Sequence, residues 1–174
     1  MKKIEEYVTN IVDFPKPGII FRDVTSVVQD PDGLKLAVDS MEEKIGDIDF
    51  DVIVGLDARG FIFGTPIAYN KGKGFIMARK AGKLPRESIS QEYDLEYGTA
   101  EIALHTDAIK PGQKVVVIDD LIATGGTVNA VCKLVEKLGG EVVKIVCLME
   151  LAGLNGRDQL QKYDLDSVIV YEGK

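Results

Sequence analysis

Apolar residues along the chain alternate between the spacing of buried strands and the spacing of helices. Five short, nearly continuous runs of mainly Val, Ile and Leu lie at 52–56, 75–78, 115–118, 142–148 and 168–171. Continuous runs of this length are typical of strands buried on both faces of a parallel sheet. Between them, apolar positions recur at helical spacing. The pattern predicts an α/β fold, with an open, twisted, mainly parallel sheet flanked by helices.

The helical spacing is clearest in three places. Its apolar positions are Ile4, Tyr7, Val8 and Ile11 in the first, Leu34, Ala37, Val38, Met41 and Ile45 in the second, and Val128, Val131, Cys132, Val135 and Leu138 in the third. The second follows Asp30-Pro31, a helix-start signal, and the third ends at Gly139-Gly140, a stop signal. We therefore predict a short N-terminal helix and two longer amphipathic helices.

One stretch has the two-residue period of strands with one solvated face. Apolar residues alternate with polar ones between Ile89 and Leu104, and Gly98 divides the stretch. This pattern predicts a β-hairpin with its turn near Gly98. The basic, turn-rich segment 79–86 precedes it. We interpret residues 80–105 as an excursion from the main sheet that forms a mobile lid.

Composition narrows the class of protein. The 174 residues are enough for one domain with a substantial core. Lys and Arg number 21 against 28 Asp and Glu, and the net charge of −7 argues against a nucleic-acid-binding protein. No apolar run has the length of a membrane span, and the start has no apolar signal segment. Cys132 and Cys147 lie among apolar residues, as core residues of a cytoplasmic protein would. The single histidine, His105, is interpreted as a surface or hydrogen-bonded residue.

A cradle for a phosphate group is predicted after the run 115–118. Asp119-Asp120 follows the run, and the small residues Ala123-Thr124-Gly125-Gly126-Thr127 then lead into a helix. Ligands of open parallel sheets bind outside the carboxyl ends of the strands. The glycines let backbone N–H groups turn inward, the threonines add hydroxyl donors, and the helix adds the positive end of its dipole.

The paired acids refine that prediction. Asp119 and Asp120 can accept hydrogen bonds from vicinal hydroxyls, as on a ribose, or hold a divalent cation indirectly. The implied ligand is therefore a sugar phosphate. The ending of a P-loop and the Gly-x-Gly-x-x-Gly dinucleotide motif are both missing. The alternative is an ordinary strand-turn-helix unit with solvated acids at its corner.

Three further segments carry candidate chemistry. Arg59 follows the strand 52–56, where its guanidinium could bind two oxygens of a diphosphate; otherwise it is a surface arginine. In segment 14–25, prolines stiffen the backbone and Ile20 and Phe21 could form an apolar wall, but the residues alone favour a strap over the core. Arg79, Lys80 and Lys83 could add positive charge over a site, although such charges are more often simply solvated.

The motifs together resemble those of the type I phosphoribosyltransferases. Residues 119–127 are similar to the phosphoribosyl pyrophosphate motif of that family, and 55–61 to its pyrophosphate loop. Residues 14–25 resemble its base-binding segment, and 79–85 with 93–99 its flexible catalytic loop. The resemblance spans nearly the whole chain and is greatest to members that use adenine. The family often has Glu-Ser where this chain has Asp57-Ala58, a mild departure because Arg59 remains.

The resemblance implies a single domain over 1–174, with a small hood and base-binding segment in 1–30 and a flexible hairpin lid in 80–105. It implies the conversion of adenine and phosphoribosyl pyrophosphate to AMP and pyrophosphate in purine salvage. It also implies a cytoplasmic homodimer and Mg²⁺ carried mainly on the diphosphate. No side chain is implied as a direct metal ligand, although Asp119 and Asp120 could reach the ion through water.

The resemblance also assigns roles to particular residues. The implied catalytic residues are Glu96, Arg59, Asp119 and Asp120, with Glu96 as an acid or base toward the purine. The implied ribose 5-phosphate loop is Ala123, Thr124, Gly125, Gly126 and Thr127. The implied pyrophosphate contacts are Asp57, Ala58, Arg59, Arg79, Lys80, Lys83 and Tyr97. The implied adenine contacts are Ile20, Phe21, Arg22 and Leu151.

Two other functions fit the same motifs. The purine that accepts the phosphoribosyl group could be hypoxanthine, guanine or xanthine, because the residues of the base slot are assigned with the least support from the motifs. The chain could also be a non-catalytic regulator that senses phosphoribosyl pyrophosphate. The basic lid favours an enzyme, because a sensor does not need to exclude water from its ligand.

Overall fold

A computed structural model describes residues 1–95 and 97–173. Its strands are β1 (Thr9–Val12), β2 (Ile20–Asp23), β3 (Val52–Leu56), β4 (Gly74–Lys80), β5 (Ser88–Asp94), β6 (Thr99–His105), β7 (Lys114–Ile122), β8 (Glu141–Leu151) and β9 (Leu165–Tyr171). Its α-helices are α1 (Thr25–Val28), α2 (Pro31–Ile45), α3 (Arg59–Lys71) and α4 (Gly126–Lys137). Short 3₁₀ turns cover Ile4–Tyr7, Ala152–Leu154 and Gly156–Gln159.

Seven strands form one sheet in the order β5-β6-β4-β3-β7-β8-β9. The five neighbouring strands β4, β3, β7, β8 and β9 are parallel to one another. Strand β6 runs antiparallel to β4 and to β5. All five apolar runs lie in strands of this sheet. The predicted open, mainly parallel α/β fold is confirmed.

The continuous apolar run in β7 is explained by two cores, one on each face of the sheet. Val115 and Val117 belong to the core that includes α4, whereas Val116 and Ile118 belong to the core that includes α2 and α3. All four side chains are fully buried. Because successive side chains of a strand point to opposite faces, a strand covered on both sides needs apolar residues at every position.

The two longer predicted helices form where the end signals place them. In α2 the Asp30 carboxylate caps the N-terminus by accepting hydrogen bonds from the N–H groups of Asp32 and Gly33, and Pro31 is the first helical residue. Helix α4 is followed by Gly139, whose φ of 89° ends the helix. Both predictions are confirmed.

The predicted N-terminal helix is wrong beyond its first turn. Residues from Thr9 to Val12 form strand β1, which pairs antiparallel with β2 from Asp23 back to Ile20. The branched residues of this segment suit a strand, and pairing with β2 satisfies backbone groups that a helix would otherwise satisfy. Val8 is buried as expected, but Ile11 is 37% exposed. The β1–β2 ribbon forms a small hood.

The predicted hairpin is confirmed as β5 and β6, but its base continues the main sheet instead of leaving it. Arg79 and Lys80 of β4 pair with Ala103 and Ile102 of β6. Ile102 to Leu104 are buried in the α4-side core. The base of the hairpin is therefore part of the folded body, and the mobility of its outer part stays a prediction.

The remaining general expectations concern the cysteines, the histidine and the membrane. Both Cys132 and Cys147 are buried free thiols, and burial raises the pKa of each to about 12. His105 accepts a hydrogen bond from the backbone N–H of Arg86 at 3.3 Å, as a structural histidine would. None of the helices in the described residues is long and apolar enough to span a membrane.

Candidate active site

Two loops meet at the carboxyl ends of the adjacent parallel strands β3 and β7. Asp57 and Ala58, joined by a cis peptide bond, follow β3, and Arg59 begins α3. A Cβ placed on Gly60 would lie 2.9 Å from the carbonyl oxygen of Ile118. The start of α3 is therefore packed directly on β7, at the position just before the paired acids. The absence of a side chain at residue 60 brings the two loops together.

Arg59 and Asp120 form an ion pair across this junction. Arg59 Nε lies 2.8 Å from Asp120 Oδ2; the arginine side chain is 48% exposed and the aspartate side chain 6%. The N–H is not aimed at that oxygen, and within residues 1–95 and 97–173 Asp120 Oδ2 accepts no hydrogen bond. A buried oxygen without a hydrogen-bond donor is costly, and a ligand hydroxyl that reached it would supply the missing donor.

Asp119 and Asp120 lie within β7, not beyond its end, because the strand continues to Ile122. Asp119 Oδ1 accepts the backbone N–H of Asp120 at 2.8 Å. Burial and the adjacent charge of Asp120 raise the pKa of Asp119 well above its ordinary value. Ionisation of Asp119 is therefore unfavourable in the folded protein, as is typical of residues held for function.

Asp119→Asn is expected to stabilise the fold at pH 7.5 but not at pH 4. A carboxyl whose pKa is raised on folding stabilises the fold at low pH, and this stability is lost as the pH rises through the raised pKa. Asparagine removes that loss and still accepts the N–H of Asp120. Urea unfolding of wild type and variant at both pH values measures the difference. An equal difference at the two pH values would contradict the raised pKa.

The predicted phosphate loop, 123–127, connects β7 to α4. It lines a cavity of about 100 Å³ together with Asp119, Leu121, Ile122 and Val128. Gly125 has a φ of 84°, and Gly126 begins the helix. The first N–H groups of a helix have no partner within it, and they carry the positive end of its dipole. The loop has the donors and the field that an anion requires.

A segment that the sequence analysis did not single out supports this loop. A Cβ on Gly125 would lie 2.6 Å from the carbonyl oxygen of Gly156, and a Cβ on Gly156 would lie 2.5 Å from that of Ala123. Gln159 Nε2 donates a hydrogen bond to the carbonyl oxygen of Thr124 at 2.9 Å. The turn signal Asn155-Gly156 was the available clue, but nothing in the sequence linked it to a loop thirty residues earlier.

The predicted pyrophosphate contacts divide into two groups. Arg79 Nε donates to Asp57 Oδ2 at 3.1 Å, and the N–H of Asp57 donates to the carbonyl oxygen of Ala78 at 2.9 Å. Arg79 is thus an anchor of the Asp57 loop rather than a free charge in the lid. Lys80 and Lys83 are exposed on the segment that leads to the hairpin.

The outer part of the hairpin holds the two other predicted residues. Tyr97 is 81% exposed. Glu96 lies outside the described residues, so its role stays a prediction. Closer to the base, Tyr93 and Asp94 approach Gly126, since a Cβ there would lie 3.7 Å from the Tyr93 ring and 3.6 Å from the Asp94 carbonyl oxygen. The hairpin therefore adjoins the phosphate loop.

The predicted base-binding residues are connected through Tyr171. The Arg22 guanidinium lies 4.0 Å from the centre of the Tyr171 ring, and Tyr171 of β9 pairs with Leu151 of β8. Phe21 packs edge-on against Phe14 at 5.4 Å between ring centres, and Ile20 is 38% exposed. The hood thus lies over the carboxyl ends of β8 and β9. Tyr171 was predicted as a strand residue only.

The paired acids fit Mg²⁺ in the way that this ion is usually bound. Mg²⁺ is commonly held by one or two carboxylates, with waters and substrate phosphates as its other ligands. Asp119 and Asp120 offer such carboxylates beside the phosphate loop, and Asp120 Oδ2 lacks a hydrogen-bond donor in the described part of the chain. No cluster of three or more His, Cys, Asp or Glu side chains suited to a metal occurs among those residues.

Comparison with known proteins matches this arrangement to a family. Residues 23–173 match the phosphoribosyl transferase domain. Adenine phosphoribosyltransferase of Lachnoclostridium phytofermentans is 67% identical over 174 residues, which is the whole of both chains. The chain belongs to the adenine phosphoribosyltransferase family. The resemblance stated from the motifs is confirmed, and so is the expected enzyme class.

Solved structures of the adenine phosphoribosyltransferase family share the fold. The enzyme of Thermoanaerobacter pseudethanolicus superimposes with a TM-score of 0.93 at 47% identity, covering 97% of this chain and 98% of that one. The enzyme of Saccharomyces cerevisiae was solved in complex with an imino-altritol bisphosphate and adenine. It superimposes with a TM-score of 0.89 at 35% identity, covering 95% of this chain and 96% of that one. The type I phosphoribosyltransferase fold predicted from the sequence is confirmed.

Proposed function

We propose that the chain transfers the phosphoribosyl group of 5-phosphoribosyl 1-pyrophosphate to adenine, which forms AMP and pyrophosphate for purine salvage. Family membership supports the reaction. The observation that supports the site is the packing of Gly60 on Ile118, with Arg59 Nε 2.8 Å from Asp120 Oδ2 in the strand that leads into loop 123–127. A diphosphate, a ribose and a 5′-phosphate then each have a matching surface within one edge of the sheet.

Each group of residues has its own task in this proposal. The loop 123–127 binds the 5′-phosphate through backbone N–H groups and threonine hydroxyls. Asp119 and Asp120 accept hydrogen bonds from the ribose hydroxyls, and Arg59 binds the diphosphate. The bond from the anomeric carbon to pyrophosphate breaks as the purine nitrogen attacks that carbon, and the proton of that nitrogen passes to a base, the role predicted for Glu96. Catalysis rests on positioning and on stabilising the charge of the leaving group.

The hood and the hairpin complete the site. Ile20, Phe21, Arg22 and Leu151 frame the adenine. Backbone carbonyls near Ile20 and Arg22 suit the donor that adenine has at its 6-position. Lys80, Lys83 and Tyr97 approach the pyrophosphate when the outer hairpin closes and excludes water. Asp57, Ala58 and Arg79 also contact the pyrophosphate in this proposal, and the bond from Arg79 to Asp57 supports the position of their loop. Glu96 remains a predicted acid or base.

Three further features belong to the proposal. Asp119 and Asp120 would hold Mg²⁺ through water, and the ion would supply positive charge to the diphosphate. The chain acts as a homodimer, which exposed apolar side chains of the hood such as Val12 and Phe14 support. The reaction takes place in the cytoplasm, in keeping with the buried free thiols of Cys132 and Cys147.

We expect pyrophosphate release with adenine and none above background with hypoxanthine, guanine or xanthine. The measurement follows pyrophosphate with Mg²⁺ and phosphoribosyl pyrophosphate, one base at a time. Turnover with a different purine would overturn the assignment of residues 20–22 and leave the phosphate and pyrophosphate loops standing. Tight donor binding without turnover of any base would identify a sensor instead of an enzyme.

A further inference from the structure

A clamp of three side chains lies behind the phosphate loop, outside the site described above. The Arg157 guanidinium donates two hydrogen bonds to the Glu150 carboxylate, from Nε to Oε1 at 2.7 Å and from Nη2 to Oε2 at 2.9 Å. Ser167 donates its hydroxyl hydrogen to Glu150 Oε2. The Glu150 side chain is 5% exposed, whereas that of Arg157 is 52% exposed. We refer to these three residues as the clamp.

The clamp ties together three parts of the fold. Glu150 lies near the end of β8, Ser167 lies in β9, and Arg157 lies in the 3₁₀ turn Gly156–Gln159. Arg157 Nη1 also donates to the carbonyl oxygen of Leu165 at 3.1 Å. The Arg157 guanidinium therefore fixes the turn to two strands of the sheet by three hydrogen bonds, two to Glu150 and one to Leu165. Ser167 adds a separate hydrogen bond from β9 to Glu150.

The turn that the clamp fixes is the floor of the phosphate loop. Gly156, next to Arg157 in sequence, is in close contact with Ala123 and Gly125, and Gln159 at the other end of the turn bonds to Thr124. A shift of the turn would therefore shift the loop or open space beneath it. The loop itself is built of small residues, which supply little packing of their own to hold their backbone N–H groups in place.

We propose that Arg157 is a positioning residue for the 5′-phosphate subsite, acting through Glu150 and through the turn Gly156–Gln159. This inference rests on the proposed function of the loop 123–127. A guanidinium bound at two points fixes direction as well as distance, which a lysine cannot do. Arg157 does not touch the substrate in this scheme. Its effect reaches the donor only through the position of the loop.

Electrostatics agrees with a clamp that is intact at working pH. The Arg157 guanidinium and the Ser167 hydroxyl lower the pKa of Glu150, although its burial alone would raise it. The pair therefore stays ionised at neutral pH. Burying a carboxylate costs free energy unless the carboxylate is paired. A paired, buried Glu150 beside a ligand loop is therefore consistent with a functional role of the pair.

The test compares Arg157→Lys and Arg157→Gln with wild type in steady-state kinetics. We expect the KM for phosphoribosyl pyrophosphate to rise on the order of tenfold in Arg157→Gln, since misplacing a positioning element by a fraction of an ångström to one ångström costs up to about 100-fold. The KM for adenine should change less than about twofold, and Arg157→Lys should fall between wild type and the glutamine variant. Thermal unfolding checks that each variant is folded.

Two other variants keep the test decisive. Gln159→Ala removes the bond to Thr124 from an exposed side chain, so we expect little loss of stability. A rise of about threefold in the same KM is expected, as for the loss of one neutral hydrogen bond. Lys162→Gln is the matched control, because it breaks a nearby ion pair with Glu136 of α4, and among the described residues that ion pair has no hydrogen bond to the turn. That variant should keep wild-type constants.

The outcomes separate this inference from the proposed function. If wild type does not turn over the donor, the proposed function fails. If wild type is active and the folded Arg157 variants and Gln159→Ala keep its KM for the donor, the positioning role is overturned. Equal rises in both KM values would also overturn it, since they indicate general damage to the fold. A variant that does not fold leaves Arg157→Lys and Gln159→Ala to decide.

Discussion

Asp120→Asn is expected to lower kcat/KM for phosphoribosyl pyrophosphate by about 100-fold or more. Asp120 offers a buried charged oxygen that accepts no hydrogen bond within the described residues and lies 2.8 Å from Arg59 Nε. Hydrogen bonds to charged groups contribute about 1.5–3 kcal/mol each. Asparagine keeps one acceptor oxygen but loses the charge and the second acceptor, so one such bond is lost and any other is weakened. The variant also leaves Arg59 without its partner.

The variant is measured against Asp39→Asn, which removes an exposed ion pair with Lys35 on α2. We expect the control to keep wild-type kinetics, because exposed pairs of this kind contribute little. Thermal unfolding establishes that Asp120→Asn is folded, since asparagine has nearly the same shape. A folded Asp120→Asn within threefold of wild type would rule out a direct role of this carboxylate.

Gly125→Ala is expected to cost both stability and donor binding. The left-handed backbone at a φ of 84° disfavours a side chain by about 1–2 kcal/mol. The new Cβ would also lie 2.6 Å from the carbonyl oxygen of Gly156, and such overpacking costs about 1–3 kcal/mol more. The free energy of unfolding should therefore fall by about 2–5 kcal/mol.

Gly112→Ala provides the matched control. Gly112 has a φ of 86°, and a Cβ there would have no heavy atom of the described residues within 4 Å, its two chain neighbours apart. The free energy of unfolding of Gly112→Ala should fall only by the cost of the left-handed backbone, about 1–2 kcal/mol. The variant should keep the wild-type KM for the donor. Gly125→Ala should raise that KM by about 100-fold, as expected when a positioning loop shifts. Urea unfolding and initial rates measure both quantities, and equal effects of the two substitutions would show that Gly156 does not confine the loop.

Local sequence signals predicted the strands and helices whose burial or capping shows directly in their own residues. The run in β7 is apolar at every position because both faces of the strand are covered. Helix α2 begins at Pro31 because Asp30 supplies a side-chain cap from within the same segment. In each case the residues that signal the element are also those that stabilise it, so no distant partner had to be known.

The errors arose where a distant segment decides the local structure. Ile4 to Ile11 has helical spacing, yet Thr9 to Val12 pair with β2 and become a strand. Residues 80–105 read as a separate excursion, yet Arg79 and Lys80 pair with β6 and join the hairpin to the main sheet. Pairing between strands depends on which backbones meet, and periodicity within one segment does not carry that information.

The sequence by itself determined the class of fold, the order of the motifs and the types of group in the site. The acids in the last part of β7 and the glycines and threonines that follow it indicate a sugar phosphate, because their chemistry is local to nine consecutive residues, 119–127. Tertiary structure alone decided how those groups are held. Arg59 meets Asp120 because Gly60 packs on Ile118, and the phosphate loop rests on Gly156, which Arg157 ties to Glu150. These contacts join residues far apart in the chain, and only the packing of the sheet and its loops brings them within bonding distance.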